Sequence, residues 1–448
     1  MGNNNCFIIH PRLKKETYTR AVENALEEAQ GLAEAISLNV VDVTSFMLGK
    51  IKPSTYIGGG QIELIKEKME ELGEPEVLIF DGNLSPSQQR NLETALDLKV
   101  IDRTGLILEI FGKRAKTKEG RAQVQLASLS YQRSRLVRSW THLERQKGGA
   151  GFLGGPGERQ IELDRRMIDE QIGRIKKELE KIKQTRELQR GKRKRVPWPI
   201  VALVGYTNAG KSTLFNILTK ADVMAKDMLF ATLDPTMRAI KLPSGKKVIL
   251  ADTVGFISEL PHQLVEAFKA TLEEVMQADL LLHVIDINDD DFEDYKANVL
   301  EVLESLGIDD IEQDRRLIDV YNKIDLLDHE EQQYLLNKLA LDSNNKAVAI
   351  SAYKEMYLLQ LLDIIDSRLS EGEEAFDIHL KAEQSRFIAW LHENARITHE
   401  YYLDDGRVEV QGMIEPEKAS RFATMLKASH GDIPPSFQKI IKQHFEPL

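Results

Sequence analysis

Between residues 5 and 112 short apolar runs alternate with longer amphipathic stretches. CFIIH, SLNVVDV, EVLIF and LKVIDR have the length and β-branched content of strands, whereas TYTRAVENALEEAQGLAEAI, QIELIKEKMEEL and SPSQQRNLETAL repeat apolar positions at helical spacing. Strict alternation of strand and helix predicts a parallel sheet with crossover helices, an N-terminal α/β domain over residues 1–112. From Ala122 the period changes. Ala122, Leu126, Leu129, Leu136, Trp140 and Leu143 make one narrow apolar seam at spacings of three, four or seven, and Ile168, Ile172, Ile175, Leu179 and Ile182 make a second. Between them GGAGFLGGPG holds more glycine than a helix interior tolerates. The pattern predicts an antiparallel helical hairpin over residues 113–190 with a glycine-rich tip, its arms roughly 35 Å long at about 1.5 Å per residue. A plain connection would need only about two to five residues. The longer tip therefore reads as a probe at the end of an arm.

After the hairpin, GKRKRVPW at residues 191–198 has no periodicity and precedes the buried strand PIVALV, so it is read as a basic linker. A nuclear localisation signal is the competing reading of KRKR. Residues 199–372 resume the strand and helix alternation and predict a doubly wound sheet. Residues 373–448 predict a small α+β domain: a helix around Glu383 to Glu393, the strands ITHEYYL and RVEVQGM joined across Asp-Gly, then a helix from Glu415. The expected fold class is thus multidomain α/β, with a helical hairpin inserted between two α/β domains.

Composition narrows the picture. Of 448 residues 42% are hydrophobic and 29% charged, the balance of a globular chain that can bury several cores. No apolar run approaches the ~18 residues of a membrane span, and a cytosolic, monomeric protein is expected, compatible with peripheral attachment to a membrane. The single cysteine, Cys6, excludes a disulfide scaffold or a zinc ribbon. Charge is more telling. The net charge is -11, yet Lys113 to Lys147 holds ten basic against two acidic residues and Glu158 to Arg195 fourteen against eight. Residues 113–195 therefore carry +14 and the rest of the chain -25. One anionic partner docking at one place, with nucleic acid the obvious candidate, fits that asymmetry; two solvated basic helical faces are the bland alternative.

The chemistry concentrates in four short segments. Gly205-Tyr206-Thr207-Asn208-Ala209-Gly210-Lys211-Ser212-Thr213 follows a strand and opens a helical pattern, which matches GxxxxGK[ST] in the context that phosphate binding requires. Lys211 is expected to reach the β- and γ-phosphates and Ser212 to ligate Mg²⁺. Asp252-Thr253-Val254-Gly255 ends the strand KVILA, so Asp252 can hold Mg²⁺ through water and the Gly255 N–H can meet the γ-phosphate. Asn322-Lys323-Ile324-Asp325 ends RLIDVYN. There the Asp325 carboxylate can accept both N1–H and N2–H of guanine, a donor pair adenine lacks, and Asn322 can bond the other edge of the base. Ser351, Ala352 and Tyr353 close the set after KAVAI, and GTP or GDP is the expected ligand. Between the first two segments lies Met228 to Thr236, with Phe230, Ala231, Thr232, Leu233 and Asp234. Thr232 is the favoured threonine for sensing Mg²⁺ and γ-phosphate, ahead of Thr236, which starts the next strand. Lys211, Thr232 and Gly255 are the expected catalytic set. Phe256 stands where many GTPases carry a water-orienting glutamine, so slow intrinsic hydrolysis is expected unless a partner supplies the missing group. The alternative is that Phe256 packs the switch against the sheet.

With these segments the chain resembles the HflX family of ribosome-associated GTPases, grouped with the Obg GTPases, over essentially its full length. The resemblance is carried by TYIGGGQIE at 55–63, DRTGLILEIFGKRAKTKEGRAQVQLA at 102–127, GGPGERQIELDRR at 154–166, GYTNAGKSTLFN at 205–216, LFATLDPT at 229–236 and DTVGF at 252–256. Arg159 departs from the family's usual GPGETQ tip. The resemblance implies binding to the 50S subunit, with residues 113–195 against rRNA and the hairpin reaching towards the peptidyl transferase centre, and splitting of stalled 70S ribosomes under stress. It also implies ATP binding by the N-terminal domain, where Gly58-Gly59-Gly60 before a helix could receive phosphate. A regulatory GTPase acting on tRNA or on a protein partner is the other class of function these features allow.

Overall fold

The structure, a computed structural model, describes residues 4–445 apart from 16, 17, 19, 74, 147–155, 194–197, 221–229, 231–235, 259–274, 309, 342–345, 382, 383, 404, 430 and 431; for 137–146, 156–161, 186–193 and 385 it describes the backbone alone. Two compact units divide the chain. One comprises Met1–Leu188, Ile200–Arg238 and Leu250–Tyr357, the other Gln189–Pro199, Ala239–Ile249 and Leu358–Leu448.

The first unit begins with the predicted parallel sheet. Strands β1 (Asn5–Leu13), β2 (Asn39–Leu48), β3 (Val77–Phe80) and β4 (Lys99–Asp102) lie in the order β2-β1-β3-β4, and every pair is parallel. Because side chains alternate across a strand, the apolar runs feed two cores. Cys6, Ile8, Val77 and Ile79 pack with α1 (Val22–Ala35) and α4 (Arg103–Arg114) through Leu32, Ala33, Ile107 and Phe111. Phe7, Ile9, Leu78 and Phe80 pack with α2 (Gly59–Leu72) and α3 (Pro86–Leu96) through Ile62, Ile65, Leu92 and Leu96. Cys6 is wholly buried, and that burial, reinforced by the nearby charge of Glu34, pushes its thiol up to about 12.

Two long helices follow, α5 (Lys118–Gln146) and α6 (Pro156–Arg193). The predicted seams meet: Ala122, Leu129, Ile172 and Ile175 are buried together, with Leu126, Ile168 and Leu179 at their margin. The outer seam side chains Trp140 and Leu143, and most of the glycine-rich tip, lie outside the described residues. Helix α6 continues through Arg193, three residues into the segment read as linker. Arg and Lys are good helix formers, and the lone Gly191 costs only about 1 kcal/mol.

The nucleotide-motif region forms a six-stranded sheet in the order β10-β9-β8-β5-β7-β6, built from β5 (Ile200–Val204), β6 (Thr236–Lys241), β7 (Lys247–Asp252), β8 (Leu280–Asp286), β9 (Leu317–Asn322) and β10 (Ala347–Ala349). β5, β8, β9 and β10 run parallel. Their apolar residues join the α1/α4 face of the first sheet in one core that holds Ile107, Phe111, Ala202, Val204 and Leu281.

In the second unit the predicted hairpin is present as β12 (Arg396–Tyr402) and β13 (Arg407–Ile414), antiparallel. The two-strand reading needs correction. A third strand, β11 (Glu374–Lys381), pairs along the whole of β13 and makes the order β11-β13-β12. Its alternating Phe376, Ile378 and Leu380 face a core with Phe387, Leu391, Phe422, Leu426, Phe437 and Ile440, contributed by helices Ser385–Asn394, Pro416–Ala428 and Pro435–Phe445. Two strands alone are marginal in water, and the third with its helices supplies the missing apolar cover.

Candidate nucleotide site

The four motif segments sit where β5, β7, β9 and β10 end, at one end of the sheet, as expected of a ligand site in an open α/β fold. After β5 the chain turns through Gly205 to Gly210 and enters α7 (Lys211–Thr219). Asn208 at φ 60° and Gly210 at φ 95° are left-handed, which turns successive N–H groups towards a common point. At Gly210 a Cβ would also collide with the Asn322 amide, so no other residue fits. The N-cap residue of α7, Gly210, offers no side-chain cap, and the positive end of the helix dipole there suits an anion.

Lys211 is almost wholly buried, and its ammonium donates to the carbonyls of Gly205 at 3.0 Å and Tyr206 at 2.6 Å. An ammonium has three donors, so one remains for phosphate. Burial drives the Lys211 pKa down to about 8, against the opposing pull of Asp252. The Ser212 hydroxyl donates to Asp252 Oδ2 at 2.8 Å. A hydroxyl and a carboxylate brought together at the end of β7 are the hard oxygen donors that suit Mg²⁺. Gly255 packs close: a Cβ there would meet Thr207 Cγ2 at 2.9 Å and Lys211 Nζ at 3.2 Å. Among the described residues the buried Thr207 hydroxyl has no hydrogen-bond partner. Thr213 is half-buried on the first turn of α7.

On the base side, the Asp325 carboxylate is half-buried in a single 3-10 turn and makes no hydrogen bond among the described residues. Lys323, left-handed at φ 66°, is anchored by an ion pair with Asp286. Tyr353 is exposed, with the Lys354 ammonium over its ring, and Ser351 and Ala352 are buried behind it.

Several expected contacts take a different form. The Asn322 amide engages backbone, donating to Ala209 O at 2.9 Å and accepting from Ala352 N at 2.9 Å. It ties the phosphate loop to the Ser351 loop with one amide N–H and its oxygen, and among the described residues the second N–H has no partner, so the expected contact with guanine is still open to it. The Thr253 hydroxyl donates to Leu203 O and the Val254 side chain is core, so these two offer backbone only. Phe230 is buried edge-on against Phe111, ring centroids 4.7 Å apart. Ala231, Thr232, Leu233 and Asp234 lie outside the described residues, and with them the choice between Thr232 and Thr236; Thr236 does begin β6. Phe256 is buried, and its backbone pairs with the phosphate loop: Thr207 N donates to Phe256 O at 2.7 Å and Phe256 N to Gly205 O at 3.1 Å. The packing alternative is therefore the one the structure favours for Phe256.

Three further features bear on charge and anion binding. Arg135 is not a free arm cation; it pairs with Asp102 at the start of α4, and its guanidinium lies over Tyr131. At the start of α2 the Gln61 side chain folds back to accept from Gly58 N at 3.0 Å, so the Gly58-Gly59-Gly60 turn is already capped. Finally, a cavity of about 570 Å³ flanks the phosphate loop at Thr207, Asn208 and Ala209. Its acids Glu27, Glu28, Glu34, Asp286, Asp289 and Asp290 outnumber Arg20 and Lys296, and it lacks Lys211 and Ser212. That charge would repel a polyphosphate, so the cavity lies beside the nucleotide site.

What the sequence concealed is the environment of Tyr206. Its ring stacks on Tyr295 with centroids 4.0 Å apart, and its hydroxyl donates to Glu28 of α1. Burial, then the Glu28 charge, raises the Tyr206 phenol well above its ordinary range.

Comparisons with known proteins agree with these observations. Family descriptions match in succession: GTP-binding GTPase N-terminal over residues 23–112, GTP-binding GTPase middle region over 114–193, and 50S ribosome-binding GTPase over 200–323. The GTPase HflX of Magnetococcus marinus is 49% identical over 390 residues, 87% of this chain and 88% of that protein. The GTPase HflX of Escherichia coli is 43% identical over 388 residues, covering 86% and 88%. Among solved structures, a GTP-binding protein of Sulfolobus solfataricus in complex with GDP aligns at 26% identity over 82% of this chain and 99% of that one, TM-score 0.44. On the motifs, their assembly at one end of the sheet and the two HflX relatives matched over more than four-fifths of the chain, the chain belongs to the HflX family of GTPases and is a GTP hydrolase.

Proposed function

We propose that the chain is a GTP-switched factor of the 50S ribosomal subunit that splits stalled 70S ribosomes under stress, with residues 113–195 as its rRNA-binding arm. The observation that carries this reading is the union of a guanine-nucleotide site with a +14 helical segment in a chain of net charge -11. A 50S ribosome-binding GTPase description over residues 200–323 supports it. In this reading the N–H groups from Asn208 to Thr213 and the Lys211 ammonium hold the phosphates, and Asp325 selects guanine. Ser212 and Thr232 would hold Mg²⁺ directly and Asp252 through water; the ion neutralises charge on the β- and γ-oxygens when bound. Gly255 N–H would bond the γ-phosphate. Phe256 supplies no polar group for the attacking water, so a ribosomal group or an ordered segment must complete the site. The protein acts as a cytoplasmic monomer. ATP binding at Gly58-Gly59-Gly60 would require displacement of the Gln61 cap.

Co-sedimentation with 50S subunits in a non-hydrolysable GTP analogue, with single-turnover hydrolysis alone and with subunits, tests the proposal. Binding should weaken between about 50 and 200 mM salt, and hydrolysis should accelerate on the ribosome. Replacing the exposed Lys176 and Lys177 by Glu should weaken binding, whereas deleting residues 148–157 should spare binding and abolish splitting. Fast, ribosome-independent turnover would sink the proposal, and stimulation by tRNA or another protein would favour the other class of function.

A further inference from the structure

The chain leaving Gly255 is gripped at Ser258 by Tyr206 and Arg103, from distant parts of the sequence, with a longer contact from Asn298 Nδ2 to Ser258 Oγ at 3.5 Å. Tyr206 Oη accepts from Ser258 N at 2.8 Å and pairs with Ser258 Oγ at 2.7 Å. Arg103 Nη2, at the first position of α4, donates to Ser258 O at 3.1 Å. All three polar groups of Ser258 are thereby engaged. Glu28 joins the two grips, since it accepts from Arg103 Nη2 through one oxygen and from Tyr206 Oη through the other. Asp81 accepts from Arg103 Nη1 at 2.6 Å and is itself paired with His10 at 2.7 Å. Arg103 and Glu28 are both more than nine-tenths buried. Burial alone would lower the Arg103 pKa, but Asp81 and Glu28 outweigh it and hold the guanidinium charged.

Three residues earlier the same chain reaches the reacting groups. Gly255 packs on Thr207 and Lys211, and Phe256 is hydrogen-bonded in both directions to the phosphate loop. Between Gly255 and Ser258 the backbone is therefore fixed at one end by the phosphate loop and at the other by Arg103 and Tyr206. A shift of Ser258 by even a fraction of an ångström must be passed to Gly255, because two intervening residues cannot absorb it while Phe256 and Ile257 stay buried.

We propose that Arg103 and Tyr206, joined through Glu28, are positioning residues for hydrolysis: they hold the Gly255–Ser258 segment so that the Gly255 N–H faces the γ-phosphate, and they thereby couple the N-terminal sheet to turnover and not to nucleotide affinity. This rests on the placing of Gly255 at the γ-phosphate. GDP lacks that phosphate and should not sense the clamp. GTP hydrolysis should.

The mild probe is Tyr206→Phe, which keeps the ring on Tyr295 and removes only the hydroxyl; Arg103→Lys keeps the charge but cannot reach Asp81, Glu28 and Ser258 together. Each should lower kcat about tenfold, with KM for GTP and Kd for GDP within about twofold of wild type, since uniform binding is untouched. The double variant should lose no more than the worse single one, because both act through Ser258. Unchanged kcat in Tyr206→Phe would overturn the proposal, as would a rise in kcat, or a loss of GDP affinity in step with kcat in both variants. Failure of the underlying reading looks different: in the wild type the Gly255 amide would then exchange its hydrogen equally fast with GDP and with a non-hydrolysable GTP analogue bound.

Discussion

Among the described residues two glycine-rich turns lead into helices, and they differ in what stands at the helix start. Gly58-Gly59-Gly60 enters α2 and Gly205 to Gly210 enters α7. In composition the first is the richer in glycine. The difference lies three residues on, where Gln61 returns its side-chain oxygen to Gly58 N, whereas among the described residues no side chain returns to Gly210 N and Lys211 points its ammonium into the loop. Glycine permits a phosphate cradle; it does not make one. What makes one is a helix start with a buried cation beside it.

The largest effect should come from removing that cation. Lys211→Ala leaves the left-handed turn intact but removes the charge, and GDP affinity should fall by at least about a hundredfold, roughly the worth of a buried charge-assisted hydrogen bond. Isothermal titration decides it; retained wild-type affinity would mean that the turn alone suffices. A smaller effect is expected from pH. The free Lys211 titrates at about 8 because burial disfavours its charge, and bound phosphate must raise that value by stabilising the charged form. The complex then holds more protons than the free protein at pH values above 8. GDP affinity should be flat below about pH 7.5 and decline as pH rises through 8 to 8.5, and a Kd that improves over that range would show that phosphate does not sit on Lys211. The smallest effect tests the capped turn. Gln61→Ala should cost about 1 kcal/mol of stability as a lost cap, measured by urea unfolding, and leave GTP binding unchanged. If the variant gains ATP affinity, the cap is all that kept an anion out of α2; if not, the absence of a lysine is decisive.

The contrast also shows what could be read ahead of the structure. Local signals carried far: the strand and helix periods of residues 5–112, the seams from Ala122 and Ile168, and all four nucleotide segments were visible because their patterns span a few turns or a single loop. β11 was legible in principle, since Phe376, Ile378 and Leu380 alternate cleanly, but a lone strand of eight residues with charged neighbours signals little until its partner β13 is known. The Asn322 tie and the burial of Phe230 depend on where the chain returns after a hundred residues or more. Tyr206 is the sharpest case. It occupies a variable place in a phosphate-loop motif, and its partner Glu28 is 178 positions away on an amphipathic helix, so neither residue announces the other.

The buried Cys6 has a practical consequence. A thiol that titrates at about 12 is almost entirely protonated at neutral pH and, lying within β1 with no exposed surface, should be inert to maleimides and to peroxide. As the chain has no second cysteine, a fluorophore or spin label attached to a cysteine introduced on α6 or after Ser258 would report from one site only. With two such cysteines introduced, the distance between them could be followed during turnover without first building a cysteine-free background.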